Sequence, residues 1–483
     1  MMQLPAAFCQ RMRQLLGDQY EEFEASYEKE RVQGLRLNRL KLGDGEPDWQ
    51  LQAGKLEAET GFKLTPIPWV KEGFYYEDGG RPGKHPYHDA GVYYIQEPSA
   101  MAVVELLDPR PGDAVLDLCA APGGKTSHIA SRLGGEGLLL ANEIHPARAR
   151  ILSQNVERMG ITQGVVASAE GELVRYFSEF FDKIAVDAPC SGEGMFRKDQ
   201  QAAEQWSPDH VAMCAARQQD ILRDAAAMLK PGGRLVYSTC TFAPEENEGT
   251  IRHFLEEHPH FSVEHVNGYE GFTPGCPGWL GQAEDPYHLD QTFRIFPHKL
   301  EGEGHYMAVL KKENGPGPSE PAKECVYLSE KKSRELLKDY EEFCRDSLAQ
   351  PERYLNRREY ILFGEQLYLV PAGMPDMAGL KVLRPGLHLG TLKKNRFEPS
   401  HALALALRPE QAKLRYHLGL DNAQAQRYLK GETLAPEDSQ QEADALAGRK
   451  GWVLVCVGGY SLGWAKLAGT TLKNHYPKGL RWM

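Results

Sequence analysis

Between residues 91 and 312 the chain alternates short apolar runs with longer stretches of helical spacing. This alternation constrains the fold more than any other feature. AVLDLC (114–119), GLLLANE (137–143), GVVAS (164–168), KIAVDAP (183–189), RLVYSTC (234–240), FSVEHV (261–266) and HYMAVLKK (305–312) read as strands. HPARARILSQNVERMG and PDHVAMCAARQQDILRDAAAMLK, between them, read as helices. Strands alternating with helices build a mostly parallel sheet with helices on both faces. The expected fold class is therefore α/β.

The flanks differ in character. Residues 1–90 read as an α+β region: LPAAFCQRMRQLLG has helical spacing and is stopped by Gly17, and the aromatic, turn-rich stretch from Trp69 suggests hairpins. NGPGPSEPA has linker composition and sets a linker at 313–323. A small α/β unit is expected over 324–400 and a final unit over 401–483, ending in the β-like run GWVLVCVGGYSLGWAKL.

No apolar run reaches membrane-spanning length, and MMQLPAAFCQRMRQLLG lacks the apolar core of a signal peptide, so a cytoplasmic protein is expected. The nine cysteines form no C-x-x-C pair and no Cys/His cluster at zinc spacing, which excludes a disulfide framework and a structural metal from the expectation. Net charge is −11, which alone disfavours nucleic acid, but binding follows the distribution of charge over a face. Acids concentrate in DYEEFEASYEKE (18–29) and PEDSQQEADA (436–445). Two stretches hold cations and no acid: Lys381 to Arg396, and Arg449 to Met483 with Trp452, Tyr460, Trp464 and Tyr476 interleaved. Cations sit on phosphates and aromatic faces stack on bases, so the expected partner is RNA.

DLCAAPGGKTSHIA (117–130) resembles a phosphate-wrapping loop until its first glycine is sought. A P-loop needs G-x-x-x-x-G-K-[ST], and the position of the first glycine holds Cys119. What remains is the first strand–loop–helix of an α/β sheet, with glycines that allow a ligand close to the backbone. The next strand ends in Glu143, at the spacing of an acid that accepts ribose hydroxyls. Loop plus acid points to a nucleoside cofactor without a need for phosphate. S-adenosylmethionine fits, with its cationic amino-acid tail facing Asp117.

Three cysteines end predicted strands: Cys119, Cys190 in VDAPCSGEG and Cys240 in YSTCTFAPEENE. In open α/β sheets the chemistry sits beyond the carboxyl ends of the strands. A thiolate there can add to an electrophilic carbon. Added to C6 of cytosine, it turns C5 into a carbon nucleophile able to accept a methyl group. Proton traffic at N3 assists, and Asp187 is the acid placed for it. These residues alone do not rank Cys190 against Cys240. The acids of PEENE read as first-turn residues of a helix starting at Pro244.

DLCAAPGGKT, ANE, VDAPCSGEGMFRK and YSTCTFAPEENE together resemble the motifs of the Sun-type RNA (cytosine-5) methyltransferases. LPAAFCQRMRQLLG, GLRLN and YYIQEPSAM resemble that family's N-terminal region. RPGLHLGTLKKNRFEPSHALALAL and GYSLGWAKLAGTTLKNHYPKGLRW resemble the PUA-like C-terminal part of its small-subunit ribosomal RNA branch. The resemblance implies a class I, Rossmann-like S-adenosylmethionine methyltransferase sheet over 91–312, methylating C5 of cytosine in 16S rRNA. It implies that Cys119, Ala120, Ala121, Pro122, Gly123, Gly124, Lys125, Glu143 and Asp187 hold the cofactor. It further implies that Cys240 attacks C6 and that Cys190 assists product release, whereas DNA cytosine methyltransferases use the P-C cysteine as nucleophile. Ser168, Ala169 and Glu170 depart from the family, which often carries Asp or Asn after the third strand. Arg197 and Lys198 are expected to hold a neighbouring phosphate, and the protein to be a monomer needing no metal. The same chemistry on tRNA, a catalytically silent ribosome assembly factor and a P-loop NTPase are the competing readings.

Overall fold

The computed structural model describes residues 4–483 except 44, 78, 282–283, 318–321, 356, 420–422 and 436–443. Most of the acidic stretch 436–445 and the middle of the expected linker lie outside the described residues.

A ten-stranded sheet forms the centre. Five of its strands run parallel: β1 (Ala114–Asp117), β2 (Leu138–Asn142), β3 (Gly164–Ala167), β4 (Phe181–Asp187) and β5 (Leu229–Thr239). Their spatial order is β3-β2-β1-β4-β5, so the order reverses between β1 and β4. Two later strands, β6 (Phe293–Ile295) and β7 (His305–Lys312), extend the sheet antiparallel beyond β5. At the opposite edge β8 (Val382–Arg384) pairs antiparallel with β3.

The apolar runs become strands because both faces of the sheet are covered. Leu116, Leu140, Val165, Ile184, Val186, Leu235 and Tyr237 face one core. Val115, Leu139, Ala141, Val166, Ala185 and Val236 alternate with them and face the other. A sheet buried on both faces reads as continuous hydrophobic runs rather than polar alternation. Helices α1 (Pro98–Leu107), α2 (Gly124–Leu133) and α3 (Pro146–Arg158) cover the second face; α4 (Pro208–Met228) and α5 (Glu248–Glu257) cover the first. Local signals start them. Pro98 follows Glu97, whose carboxylate accepts from the Ser99 and Ala100 amides, and Pro208 follows the cap Ser207. β5 begins five residues before the run RLVYSTC, because Phe181 pairs with Leu229 and a register irregularity absorbs the intervening Pro-Gly-Gly.

The N-terminal region has two parts. Helices Ala6–Leu16 and Tyr20–Ser26 bury Phe8, Met12, Tyr20 and Phe23 against Phe196, Trp206 and Phe242 of the central domain. A four-stranded antiparallel sheet follows, built from Gly34–Leu37, Leu64–Pro66, Gly73–Tyr76 and Tyr93–Ile95. It shares a core with the last unit of the chain, where Leu35, Phe74, Tyr87 and Tyr93 meet Tyr416, Tyr428, Val453 and Val455. That last unit is a curled half-barrel of PUA type, with strands Arg415–Leu418, Gly451–Val457, Tyr460–Ala468 and Thr471–Asn474. Between it and the central domain, helix Lys338–Ser347 packs on an antiparallel sheet spanning Tyr360–Phe363 to Arg396–Pro399. Among the described residues no helix is long and apolar enough to cross a membrane.

One buried ion pair ties the antiparallel edge to the site. Arg294 on β6 donates Nε–H to Glu248 Oε1 at 2.8 Å and NH1 to the Phe242 carbonyl at 3.0 Å. Both side chains are at most 1% exposed. Removing one partner of such a pair leaves an uncompensated buried charge. Arg294→Met is expected to cost ~3–5 kcal/mol, read as a lowered urea midpoint. An unchanged midpoint would mean that Glu248 finds another counter-charge.

Candidate active site

The register of β4 and β5 brings the site together. Asp187 and Ser238 are partners across these parallel strands, and each strand ends within a residue of that pair. Three residues past Asp187 stands Cys190; two past Ser238 stands Cys240. Their Sγ atoms lie 3.3 Å apart. The hydrogen bond between the two sulfurs, with burial second, pushes the Cys190 thiol well above its ordinary pKa. The two sulfurs are in hydrogen-bond contact, and either thiol can be the donor.

Buried polar groups fix both loops. Ser191 Oγ meets Thr241 Oγ1 at 2.9 Å, and the Gly194 amide donates to the Cys240 carbonyl at 2.8 Å. Glu246, fully buried, accepts from the Ser191 amide at 3.0 Å, from the Ser191 hydroxyl, and from Gln218 Nε2 at 2.9 Å. Gln218 Nε2 also reaches the Pro189 carbonyl. Asn247 accepts from Thr239 Oγ1 at 2.6 Å and donates to the Thr241 carbonyl. These contacts correct the reading of PEENE. The helix starts at Glu248, not Pro244; Glu246 and Asn247 are buried partners of the loops that carry Cys190 and Cys240, and Glu248 is a buried first-turn acid paired with Arg294.

Asp187 is the charged centre. Its Oδ2 lies 2.7 Å from Lys125 Nζ, and its Oδ1 accepts from Ser238 Oγ at 2.9 Å. His305, at the start of β7 and 4% exposed, aims Nε2 at the same oxygen from 3.6 Å. Burial alone would raise this carboxyl; Lys125 and His305 outweigh it and hold Asp187 well below the ordinary carboxylate range. Asp187 is thus an ionised acceptor at rest.

A cavity of about 400 Å³ opens beyond the carboxyl ends of β1 to β4, at the point where the strand order reverses. Cys119, Ala121, Glu143, Asp187, Cys190 and Cys240 all line it. Glu143 Oε1 accepts the His145 amide at 2.9 Å and its Oε2 faces Arg148 at 3.3 Å. Asp117, behind the loop, accepts Thr126 Oγ1 at 2.6 Å; its other oxygen is buried without a partner. Burial, with Asp187 and Glu143 nearby, pushes this carboxyl up to about 6 against the pull of Thr126 and Lys125. The donor set fits S-adenosylmethionine: acids for a cationic sulfonium and amine, and a terminal glutamate for ribose hydroxyls. It does not fit a triphosphate, because the loop and strand ends present carboxylates.

The rest of the predicted loop supports rather than lines the cavity. The Ala120 amide donates to the Asn142 carbonyl, and the Pro122 carbonyl accepts Asn155 Nδ2. Gly123 has φ +115°, and a Cβ there would meet Leu152 at 3.2 Å; one at Gly124 would meet Gln96 at 3.2 Å. These glycines allow close packing against α3 and the N-terminal sheet. Lys125 acts through Asp187.

The model of the 16S rRNA methyltransferase RsmB/F family matches residues 104–311. The N-terminal domain of 16S rRNA methyltransferase RsmF matches 4–98, the RsmF first C-terminal domain 342–407, and the methyltransferase RsmF PUA domain 415–482. The ribosomal RNA small subunit methyltransferase F of Klebsiella pneumoniae is 31% identical over 99% of this chain and 96% of its own length. Its counterpart in Shewanella oneidensis is 31% identical over 95% and 93%. The chain belongs to this methyltransferase family. A crystal structure of a methyltransferase homologue from Pyrococcus horikoshii, 29% identical, matches with a TM-score of 0.56 over 64% of this chain and 96% of that one.

In this S-adenosylmethionine-dependent family member, several functional positions escaped sequence reading. Asn142 takes the Ala169 amide on Oδ1 and donates Nδ2 to the Ala169 carbonyl, both at 3.0 Å. This pins the departing Ser168-Ala169-Glu170 segment, of which Ala169 and Glu170 line the cavity. A lone amide ending the apolar run GLLLAN was its signal. Arg217, Asp220 and Asp224, on one face of α4, also line the cavity, and nothing in their spacing marked them. Two RNA expectations change. Arg197 points inward to Glu303 Oε2 at 2.7 Å and to the Ser26 and Gly302 carbonyls, leaving only Lys198 exposed in that loop. Trp464 and Tyr476 are buried core residues and cannot stack on bases, and Arg384 is spent on Glu157.

Glu246 carries a pH signature. Burial, aided by Glu193 and opposed by the Ser191 and Gln218 donors, pushes its carboxyl up to about 7 from an ordinary 4.5. An acid raised on folding contributes stability below its unfolded pKa and loses it as pH climbs through the folded value. Wild-type stability should therefore decline between about pH 4.5 and 7 by on the order of 2 kcal/mol from this group. Glu246→Gln should remove that decline in urea titrations at pH 5 and 7.5; parallel slopes for both proteins would refute it.

Proposed function

We propose that this chain transfers a methyl group from S-adenosylmethionine to C5 of a cytosine in 16S rRNA, with Cys240 as nucleophile and Cys190 as the release residue. The observation that carries this reading is the thiol pair, 3.3 Å apart on the wall of one acid-lined cavity. The substrate follows from the relatives, which are named for small-subunit ribosomal RNA. A ribosomal substrate assigns the work to the cytoplasm.

The cofactor would rest among Cys119, Ala121, Glu143 and Asp187, with Asp117 behind the loop, and supplies an electrophilic methyl group. A paired cytosine hides C5 and C6, so the target base must leave its stack. Cys240 Sγ adds to C6, and the displaced electron pair runs through the ring to N3, which takes a proton. The Asp187 carboxylate, held by Lys125, accepts the N–H groups of the base, including the N3–H formed by proton uptake from water. C5, now electron-rich, takes the methyl group. Water takes the C5 proton, the electron pair that reforms the C5–C6 double bond expels Cys240 as a thiolate and N3 gives up its proton; Cys190, in contact with the leaving sulfur, serves that expulsion. The ranking of the thiols follows the family motifs, with Cys240 in the T-C motif and Cys190 in the P-C motif. A catalytically silent assembly factor would have no use for this arrangement.

RNA is gripped by phosphate contacts along the C-terminal half-barrel, where Arg449, Lys450, Lys466, Lys473 and Lys478 are exposed. Each phosphate contact should contribute about 0.7–0.9 to the slope of log affinity against log salt. Filter binding over a salt series reads it, and a flat response removes RNA as the main partner.

The chemistry is tested with Cys190→Ala and Cys240→Ala, 16S rRNA and S-adenosylmethionine. Cys190→Ala should accumulate a protein–RNA adduct that survives denaturant, and Cys240→Ala should neither form one nor methylate. The reverse pattern would make Cys190 the nucleophile.

A further inference from the structure

We propose that Glu193 is a positioning residue for the two thiols and that the N-terminal helix, through Arg11, is part of the catalytic apparatus. This rests on the thiol chemistry proposed above. Glu193 sits three residues past Cys190 and its side chain is fully buried. A carboxylate without water must be satisfied by neighbours. Three elements supply them. Arg11, on helix Ala6–Leu16, forms an ion pair with Oε1. Trp206 Nε1 donates to the same oxygen at 2.8 Å. The Phe242 amide, two residues past Cys240, donates to Oε2 at 3.1 Å.

One side chain therefore joins the Cys190 loop, the Cys240 loop and the start of the chain. The backbone repeats the link, since the next amide, Gly194 N–H, holds the Cys240 carbonyl. A Cβ at Gly194 would lie 2.9 Å from that carbonyl, so the two loops touch there with no side chain between them. The aromatic packing closes over this joint. Arg11 lies over the Trp206 ring at 5.3 Å, and Phe8 packs edge-on to Trp206 and Phe196. Tyr27 Oη donates to the Glu193 carbonyl. The loop that carries Cys190 is thus built on its outer side from N-terminal residues. Glu193 is absent from the cavity wall, so it acts only by fixing where the sulfurs stand.

The consequence is kinetic. A misplacement of about 1 Å at a reacting group can cost 10²-fold in rate without weakening ground-state binding. Single-turnover methyl transfer to 16S rRNA is compared for the wild type, Glu193→Gln, Arg11→Met and Arg11→Lys, with cofactor and RNA affinities measured in parallel. Glu193→Gln and Arg11→Met should lose ~10–100-fold in rate with both affinities within about twofold of wild type. Arg11→Lys, which keeps the charge, should regain most of the loss. Arg11 is partly exposed, so its variants test the idea even where Glu193→Gln fails to fold. Wild-type rates in Arg11→Met overturn the proposal, as does a loss confined to RNA affinity. Absence of a trapped adduct in Cys190→Ala would count against the covalent reading alone, because the rate comparison does not depend on it.

Discussion

Asp187 and Ser238 pair across β4 and β5, and everything chemical in this protein depends on that register. A parallel ladder fixes which residues stand level, so the two chain segments leave the sheet side by side. That places Cys190 and Cys240 in contact and gives Asp187 the Ser238 hydroxyl. A slip by one residue would send each side chain to the opposite face. The alternating cores prevent such a slip: Ile184 and Val186 belong to one and Ala185 to the other.

Beyond the strand ends the backbone has no ladder partners, and side chains take over. Glu246, Asn247 and Glu193 are buried, and each bonds to a loop that carries Cys190 or Cys240; Glu248 is buried against Arg294, which holds the Phe242 carbonyl. A polar group without water is costly unless fully satisfied, so each of these contacts also specifies a position. The same economy governs charge. Asp187 is kept ionised by Lys125 and His305, whereas burial raises Asp117 to about 6. Two carboxyls at the end of neighbouring strands thereby differ widely in acidity.

The molecule also uses its flanks inwardly. The N-terminal helices cap the Cys190 loop, and the N-terminal sheet shares a core with the C-terminal half-barrel. β8 reaches back to the central sheet, and Arg384 anchors it on Glu157 and Ser153. Cations and aromatics that look like an RNA surface along the chain divide into two groups: Arg197, Arg384, Trp464 and Tyr476 hold the protein together, and the exposed lysines of the half-barrel remain for a polyanion.

The sequence by itself determined the sheet, its helices and the strand-end residues. Apolar runs of strand length are read from neighbours in the chain, and a resemblance spanning four motifs supplied the chemistry of Cys119, Asp187, Cys190 and Cys240. The half-barrel was legible in the same way. What only the tertiary structure decided was which polar residues turn inward. Glu246 and a solvated helix-start acid have the same local sequence; burial under Ser191 and Gln218, 55 and 28 residues away, separates them. His305 and Arg217 reach the site from strands and helices distant in the chain, and Glu193 meets Arg11 across 182 residues. Such partners are set by how elements pack, because a buried charge must be matched in space and the spacing of residues along a chain carries no record of that match.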